Sequence, residues 1–325
     1  GLARGALELR QAISEKLKRD NDITASAEQE IIVTPGAKQA ILYALLALLD
    51  PGDEVLIPEP SWVSYPSMVH LVGGRPVGVP TIADNKFQPA VSELTRMLTP
   101  RTKVLLISNP CNPTGTVLDY SIMEKIAKFC NKHDLILIVD EIYEKIVYTG
   151  TFRSFAAVPG IKERVVTING FSKAYAMTGF RLGYMTGPSW LIDQADKLQQ
   201  QSATCVCDFA QYGALAALSG QQDCVQQMRN SYSHRKELMM NAFNNISFLK
   251  CIEPDGTFYF FLDITQSGLS SQELASRLLD HALVTTVPGN EFGRSGEGFL
   301  RMSFAVKESQ IEEALKRMNK FFRQL

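Results

Sequence analysis

The chain has 325 residues, 45% of them hydrophobic, which is enough to bury a large core and to build one large domain plus a smaller one. Its 33 basic and 34 acidic residues leave a formal charge of -1, so nothing favours a polyanion, and nucleic-acid binding is not expected. No apolar run approaches the roughly 20 residues that span a bilayer, so no membrane partner is expected, and the start carries no signal-peptide pattern.

In chain order, residues 7–18 read as a helix and 31–33 as a short strand. An apolar helix over 37–49 follows, closed by the turn Asp50-Pro51-Gly52-Asp53, and 54–57 is the next strand. Strands are expected at 75–79, 103–108, 135–139, 165–169 and 181–185. The runs at 104–107 and 135–139 lack alternation, as strands covered on both faces do. From about residue 190 the pattern turns helical, through 201 and again over 209–243. A smaller α+β region then carries strands at 257–263 and 299–304 and amphipathic helices at 271–281 and 308–322. Alternating strands and helices of this kind mark an α/β fold.

Several residues carry chemistry. The stretch 169–181, NGFSKAYAMTGFR, sets Lys173 after Ser172 in a loop of small residues, with Arg181 eight positions on. An amine that can form a Schiff base and a planar fork for a phosphate dianion are the two grips that pyridoxal 5′-phosphate needs. The buried run 135–139 delivers Asp140, a carboxylate that can keep a pyridine nitrogen protonated, and Tyr143 follows within reach of the ring's 3-oxygen. Each piece alone has an ordinary reading as a loop lysine, a helix cap or turn punctuation; their joint occurrence does not. His70, His133, His234 and His281 are scattered without metal-ligand spacing, so no metal is expected. Gly289, Gly293, Gly296 and Gly298 read as turn glycines. The six cysteines, among them the close pair Cys205 and Cys207, show no paired-ligand spacing and are expected to be reduced thiols.

Together with TPGAKQA (34–40), PEPSWVSY (58–65), SNPCNPTG (108–115), DEIY (140–143) and FLRMSF (299–304), this stretch resembles the fold-type-I, class I aminotransferases, and among them the bacterial and plastid aspartate or prephenate subgroup. The resemblance covers the whole chain. It implies an α/β fold with a mostly parallel mixed sheet flanked by helices and a smaller C-terminal α+β domain. The divisions expected are 1–20 as a remnant of the small domain's N-terminal segment, 21–205 as the cofactor-binding domain, 206–245 as interdomain helices and 246–325 as the small domain.

The resemblance further implies that Lys173 is the Schiff-base lysine and general base, that Arg181 holds the phosphate, that Ser172 is a cofactor-binding residue, and that Asp140 pairs with the pyridine nitrogen. Tyr143 and Asn112 would bond the phenolic oxygen, and Trp62 would cover the ring. Gly36, Ala37 and Lys38, at a helix start, would present N–H groups to the phosphate. Arg301 would grip the substrate α-carboxylate, with Trp62 and Asn112 beside it, and Lys38 would reach a distal carboxylate. The expected activity is ping-pong transfer of an amino group between aspartate or glutamate and a 2-oxo acid, by a homodimer in the cytoplasm, or in a plastid if the source is a plant. The start at Gly1 is read as a fragment or processed form, because relatives carry an additional N-terminal arm. Three alternatives stay open: prephenate, aromatic or alanine specificity; a carbon–sulfur lyase on the same lysine; and a cofactor-binding sensor domain without catalysis.

Overall fold

The computed structural model describes residues 1–325. Its first part runs α1 (Leu7–Asn21), β1 (Ile31–Thr34), α2 (Ala37–Leu48), β2 (Glu54–Glu59), α3 (Ser64–Leu71), β3 (Arg75–Pro80), α4 (Val91–Met97), β4 (Thr102–Ser108), α5 (Tyr120–Lys132), β5 (Ile136–Asp140), β6 (Val165–Gly170), β7 (Gly183–Thr186) and α6 (Ser189–Ser202). The strands form a seven-stranded sheet in the order β1-β7-β6-β5-β4-β2-β3. Pairing is parallel from β6 through β3, and only β7 runs antiparallel to its two neighbours.

The missing alternation in the strand runs has a direct cause. Val104 and Leu106 of β4, with Ile138 of β5 and Val166 and Ile168 of β6, face a core shared with Ile41, Ala44 and Leu45 of α2 and Leu191 and Ile192 of α6. The intervening Leu105, Ile107, Leu137 and Val139 face a second core with Met123, Ile126 and Cys130 of α5. Both faces are apolar, so successive positions are apolar.

The remainder comprises α7 (Asp208–Ser219), α8 (Asp223–Phe243), β8 (Lys250–Cys251), β9 (Tyr259–Asp263), α9 (Ser271–Ala282), β10 (Val287–Pro288), β11 (Phe299–Ser303) and α10 (Glu308–Phe322). An antiparallel sheet, β10-β11-β9-β8, packs on α8, α9 and α10 through Met239, Phe243, Phe260, Leu262, Leu274, Leu278, Leu300 and Met318. Leu300 and Met302 point into that core. Arg301, between them, faces the other way, toward the large sheet, because side chains alternate along a strand.

Four expectations need correction. The helical stretch 209–243 is two helices, because α7 ends at Ser219 with Gly220 in extended geometry and α8 restarts at Asp223. The strand expected from residue 181 begins at Gly183, since Arg181 sits in the left-handed region at φ 54°. The strand expected from 257 begins at Tyr259, since Thr257 has φ 66°. Residues 1–20 do not stand with the small sheet. Leu9, Ile13 and Leu17 of α1 pack with Ile31 and Val33 of β1 and with Ala210 and Ala214 of α7, because α1's apolar stripe fits the flank of the large sheet. Within 206–245, accordingly, α7 joins the large sheet's flank while Met239 and Phe243 of α8 join the small core.

Candidate active site

A cavity of about 370 Å³ opens where β4 and β5 end and the chain leaves β6, the place where open α/β sheets bind ligands. Ala37, Lys38, Trp62, Asn112, Asp140, Tyr143, Ser172, Lys173, Arg181 and Arg301 all line it, so residues expected from six separate motifs meet in one space. Gly36 lies just behind Arg181 at φ 92°, and a β-carbon there would come within 2.6 Å of Arg181 Nη2. Only glycine lets the guanidinium lie against this turn. Sequence reasoning assigned no role to Tyr65, Ser108, Ile142, Thr178 and Tyr259, which also line the cavity. Tyr65 sits three residues past Trp62, a spacing that places both on one side of a helical turn, and this was the one signal available for it.

The two ends of the cavity differ in charge. At one end stand the first turn of α2, the hydroxyl-bearing Ser172 and Thr178, and Arg181, whose Nη1 donates to the Thr178 carbonyl at 3.0 Å. That first turn contains no acidic residue; the Gln39 and Ala40 N–H groups bond the Gly36 carbonyl, while those of Ala37 and Lys38 have no carbonyl behind them within the helix. A set rich in donors beside a cation, with no acid among them, fits a phosphate dianion. At the other end Asp140 is buried; its Oδ1 accepts the Ile142 N–H at 3.2 Å and its Oδ2 accepts the Tyr65 phenol at 2.9 Å. Trp62 and Tyr143 also line the cavity, with Lys173 Nζ 5.8 Å from the centre of the Tyr143 ring. Arg301 donates from Nη1 to Asn112 Oδ1 at 3.0 Å and lies 4.5 Å from the Tyr259 ring and 4.9 Å from the Phe292 ring. The residues present therefore fit a pyridine ring with a phosphate at one end and an acid at the other, with a carboxylate-binding arginine alongside.

Sequence comparison agrees with this geometry. Residues 2–318 match the family described as aminotransferase class I and II. The chain belongs to this family. It is 46% identical to the aspartate aminotransferase of Pyrococcus abyssi, over 98% of this chain and 83% of that one. It is 42% identical to the aromatic-amino-acid aminotransferase 2 of Thermococcus litoralis, over the same shares. Among solved structures, the aromatic aminotransferase of Pyrococcus horikoshii superposes with a TM-score of 0.98 at 44% identity, covering all of this chain and 87% of that one. The chain is a pyridoxal-phosphate-dependent aminotransferase acting on amino acids and 2-oxo acids.

The electrostatics of the aminotransferase suit that chemistry. Burial pushes the Lys173 amine below its ordinary value, with the positive charges of Arg181 and Arg301 adding to the effect and Asp140 opposing it. A larger share of the amine is therefore neutral near physiological pH. Burial raises Asp140 to about 6, restrained by the Tyr65 phenol, the Ile142 N–H and Lys173. Burial raises the Tyr143 phenol well above its usual range, so it serves as a hydrogen-bond donor and not as a base.

Glu141, next to the site, is fully buried and raised to about 8, chiefly by burial and further by Glu144, while Ser154, the Phe155 N–H and Lys16 oppose the shift. Between the ordinary values of 3.8 and 4.5 and the folded values of about 6 and 8, Asp140 and Glu141 bind protons in the native state that the unfolded chain does not hold. In that window stability falls as pH rises, by up to about 1.4 kcal/mol per pH unit for each proton. The cofactor-free protein is expected to melt at a higher temperature at pH 6 than at pH 8. The melting difference should shrink in Glu141→Gln; an unchanged difference in that variant would remove Glu141 as its source.

Proposed function

We propose that this aminotransferase takes its amino group from aspartate or glutamate. The observation that carries the proposal is Lys38, whose Nζ lies 4.8 Å from the centre of the Trp62 ring at the cavity wall and forms no ion pair with any carboxylate of the chain. A cation left without an anionic partner beside a carboxylate-gripping arginine suits a substrate with two carboxylates. The aspartate aminotransferases among the relatives support the same choice.

The residue roles we propose are supported by the geometry. Pyridoxal phosphate, when bound, supplies an aldehyde that condenses with amines and a ring that spreads negative charge from the substrate α-carbon. Lys173 would hold it through Nζ and, once released, would move a proton at that carbon. Asp140 would keep a proton at the ring nitrogen, Tyr143 and Asn112 would donate to the 3-oxygen, and Trp62 would cover the ring and exclude water. The phosphate is held by Arg181, Ser172 and the turn at Gly36, Ala37 and Lys38. Arg301, oriented by Asn112, binds the α-carboxylate by two parallel hydrogen bonds.

The working unit we propose is a homodimer. Phe180, Phe209 and Tyr212 are exposed at 45%, 76% and 72%, and Phe180 lies against α7 at Gly213, next to the open side of the cavity at Arg181. A second copy covering these aromatics would also close the site. The cytoplasm is the compartment we propose, on the strength of six cysteines that all stand as free thiols.

The test of specificity is a half-reaction screen in which single amino acids are added to the cofactor-loaded protein and its absorbance is followed. Aspartate and glutamate should convert the cofactor fastest. In Lys38→Ala, kcat/KM for these two should fall by about 10- to 100-fold, the worth of one hydrogen bond to a charged group, with little change for alanine or phenylalanine. Equal losses on all four would remove the acidic-substrate reading. A faster response to phenylalanine and tyrosine in the wild type would favour aromatic specificity, as in the Thermococcus relative.

A further inference from the structure

We infer that Tyr65 is a positioning residue of this transaminase: its phenol fixes Asp140 as an oriented carboxylate, and its ring fixes the plane of Trp62. Tyr65 lies in the first turn of α3 with only 1% of its surface exposed. Its hydroxyl donates to Asp140 Oδ2 at 2.9 Å, while the Ile142 N–H donates to Oδ1 at 3.2 Å, so the carboxylate is held from both ends. The Tyr65 ring meets that of Trp62 edge-on, with centroids 5.4 Å apart and planes at 89°. One side chain thus touches both the acid at the floor of the cavity and the aromatic plane at its wall.

The physical need for this contact comes from burial. An acid in an apolar surround takes up a proton unless donors stabilise its charge, and a protonated Asp140 would keep its own proton instead of holding one at the ring nitrogen. The titratable groups facing Asp140 are few. They are Lys173 from the loop after β6, Tyr143 beyond β5, Cys111 after β4, and Tyr65 from α3. Only Lys173 is cationic and only Tyr65 donates a side-chain hydrogen bond to Asp140. The Tyr65 phenol itself is pushed well above its usual range by burial and by Asp140, so it remains a donor at every physiological pH.

The experiment uses Tyr65→Phe, which keeps the ring against Trp62 and removes the hydroxyl. In cofactor-free protein, infrared difference spectra titrate the Asp140 carboxyl, with Asp140→Asn identifying its band. The midpoint should move up by about one to two pH units in Tyr65→Phe, the equivalent of one hydrogen bond to a charged group. Pyridoxal phosphate binding should weaken by about two- to tenfold at neutral pH, following the smaller ionised share of Asp140, and wild type and variant should converge above the variant's midpoint, where both carboxyls are ionised. An unmoved midpoint, or an affinity loss equal at every pH, would overturn the inference. Should Tyr65→Phe not fold, a ring-fluorinated tyrosine at position 65 carries the test: its more acidic phenol is a stronger donor and should lower the Asp140 midpoint, and an unchanged or raised midpoint would overturn the inference equally. The inference rests on the proposed pairing of Asp140 with the ring nitrogen. That pairing fails separately if Asp140→Asn binds pyridoxal phosphate with wild-type affinity and spectrum, whereas the cofactor-free titration reads the hold of Tyr65 on Asp140 in either case.

Discussion

Lys173→Ala is expected to lose transamination almost completely, with kcat falling by about 10⁴-fold or more, the upper end of what a positioned proton-transfer group contributes. The surroundings offer no substitute base. The Tyr143 phenol is raised far out of range, Arg301 is a cation committed to Asn112, and both oxygens of Asp140 already accept hydrogen bonds. The amine at 173 is lowered by burial and by two neighbouring guanidinium groups, so in the cofactor-free protein it should titrate below the ordinary lysine range, and condensation with added pyridoxal phosphate should speed up as pH rises through that midpoint. Borohydride reduction of the loaded wild-type protein, followed by peptide mass analysis, should place the cofactor on the peptide that carries Lys173. A small external amine should restore part of the rate to Lys173→Ala, because the missing function is a proton carrier in a space the truncation has opened. A variant rate within tenfold of wild type, or a label on any other lysine, would dispose of the mechanism.

The second large effect is expected at Asp140. Asp140→Asn keeps the shape and removes the charge, and kcat should fall by about 10²- to 10³-fold, the usual loss when one preorganised electrostatic partner is removed from an enclosed site. The same change should not destabilise the cofactor-free protein. The carboxylate is raised to about 6 by burial, so its ionised form costs folding free energy at neutral pH, and a neutral amide relieves that cost. Thermal melting of the cofactor-free variant at pH 7.5 should therefore match or exceed that of wild type while the rate collapses. Loss of rate accompanied by a large drop in melting temperature would mean that Asp140 serves the fold and not the chemistry.

Much of the site was legible because its parts are local. A lysine and an arginine eight residues apart in a loop of small residues, or an acid closing an unbroken apolar run, can be read without knowledge of what lies across the sheet. The strand positions were legible for a related reason: both faces of the large sheet are covered, so β4, β5 and β6 appear as continuous apolar runs. Tyr65 and Tyr259 carry too little local signal, since even the three-residue spacing from Trp62 to Tyr65 does not distinguish a core aromatic from one that points a hydroxyl at a partner. Tyr65 acquires its meaning from Asp140, 75 positions away, and Tyr259 from Tyr143, whose hydroxyl lies 3.2 Å from its own across 116 positions.

The helix boundaries show the same limit. The pattern over 209–243 is continuous in polarity, and only the extended backbone at Gly220 and the separate docking of α7 and α8 on different cores divide it. Leu9, Ile13 and Leu17 announce an apolar stripe but do not say which surface it covers; that surface is the flank of β1 and α7. Close by, the buried Lys16 bonds Glu144, whose Oε2 also accepts Asn21 Nδ2 at 2.6 Å, and this ties the end of α1 to the segment that follows Tyr143.

By itself, then, the amino-acid order determined the alternation of strands and helices, the fully covered central sheet and the list of side chains able to carry the chemistry, because periodicity and short motifs are properties of neighbouring residues. The tertiary structure alone decided which of those side chains face one another. Arg301 reaches the cavity because β11 pairs with β9 in a register that points it away from its own core, and Asp140 is held by a phenol from α3 because that helix packs beside the ends of β4 and β5. Such meetings depend on register and on packing between distant segments, which no local pattern encodes.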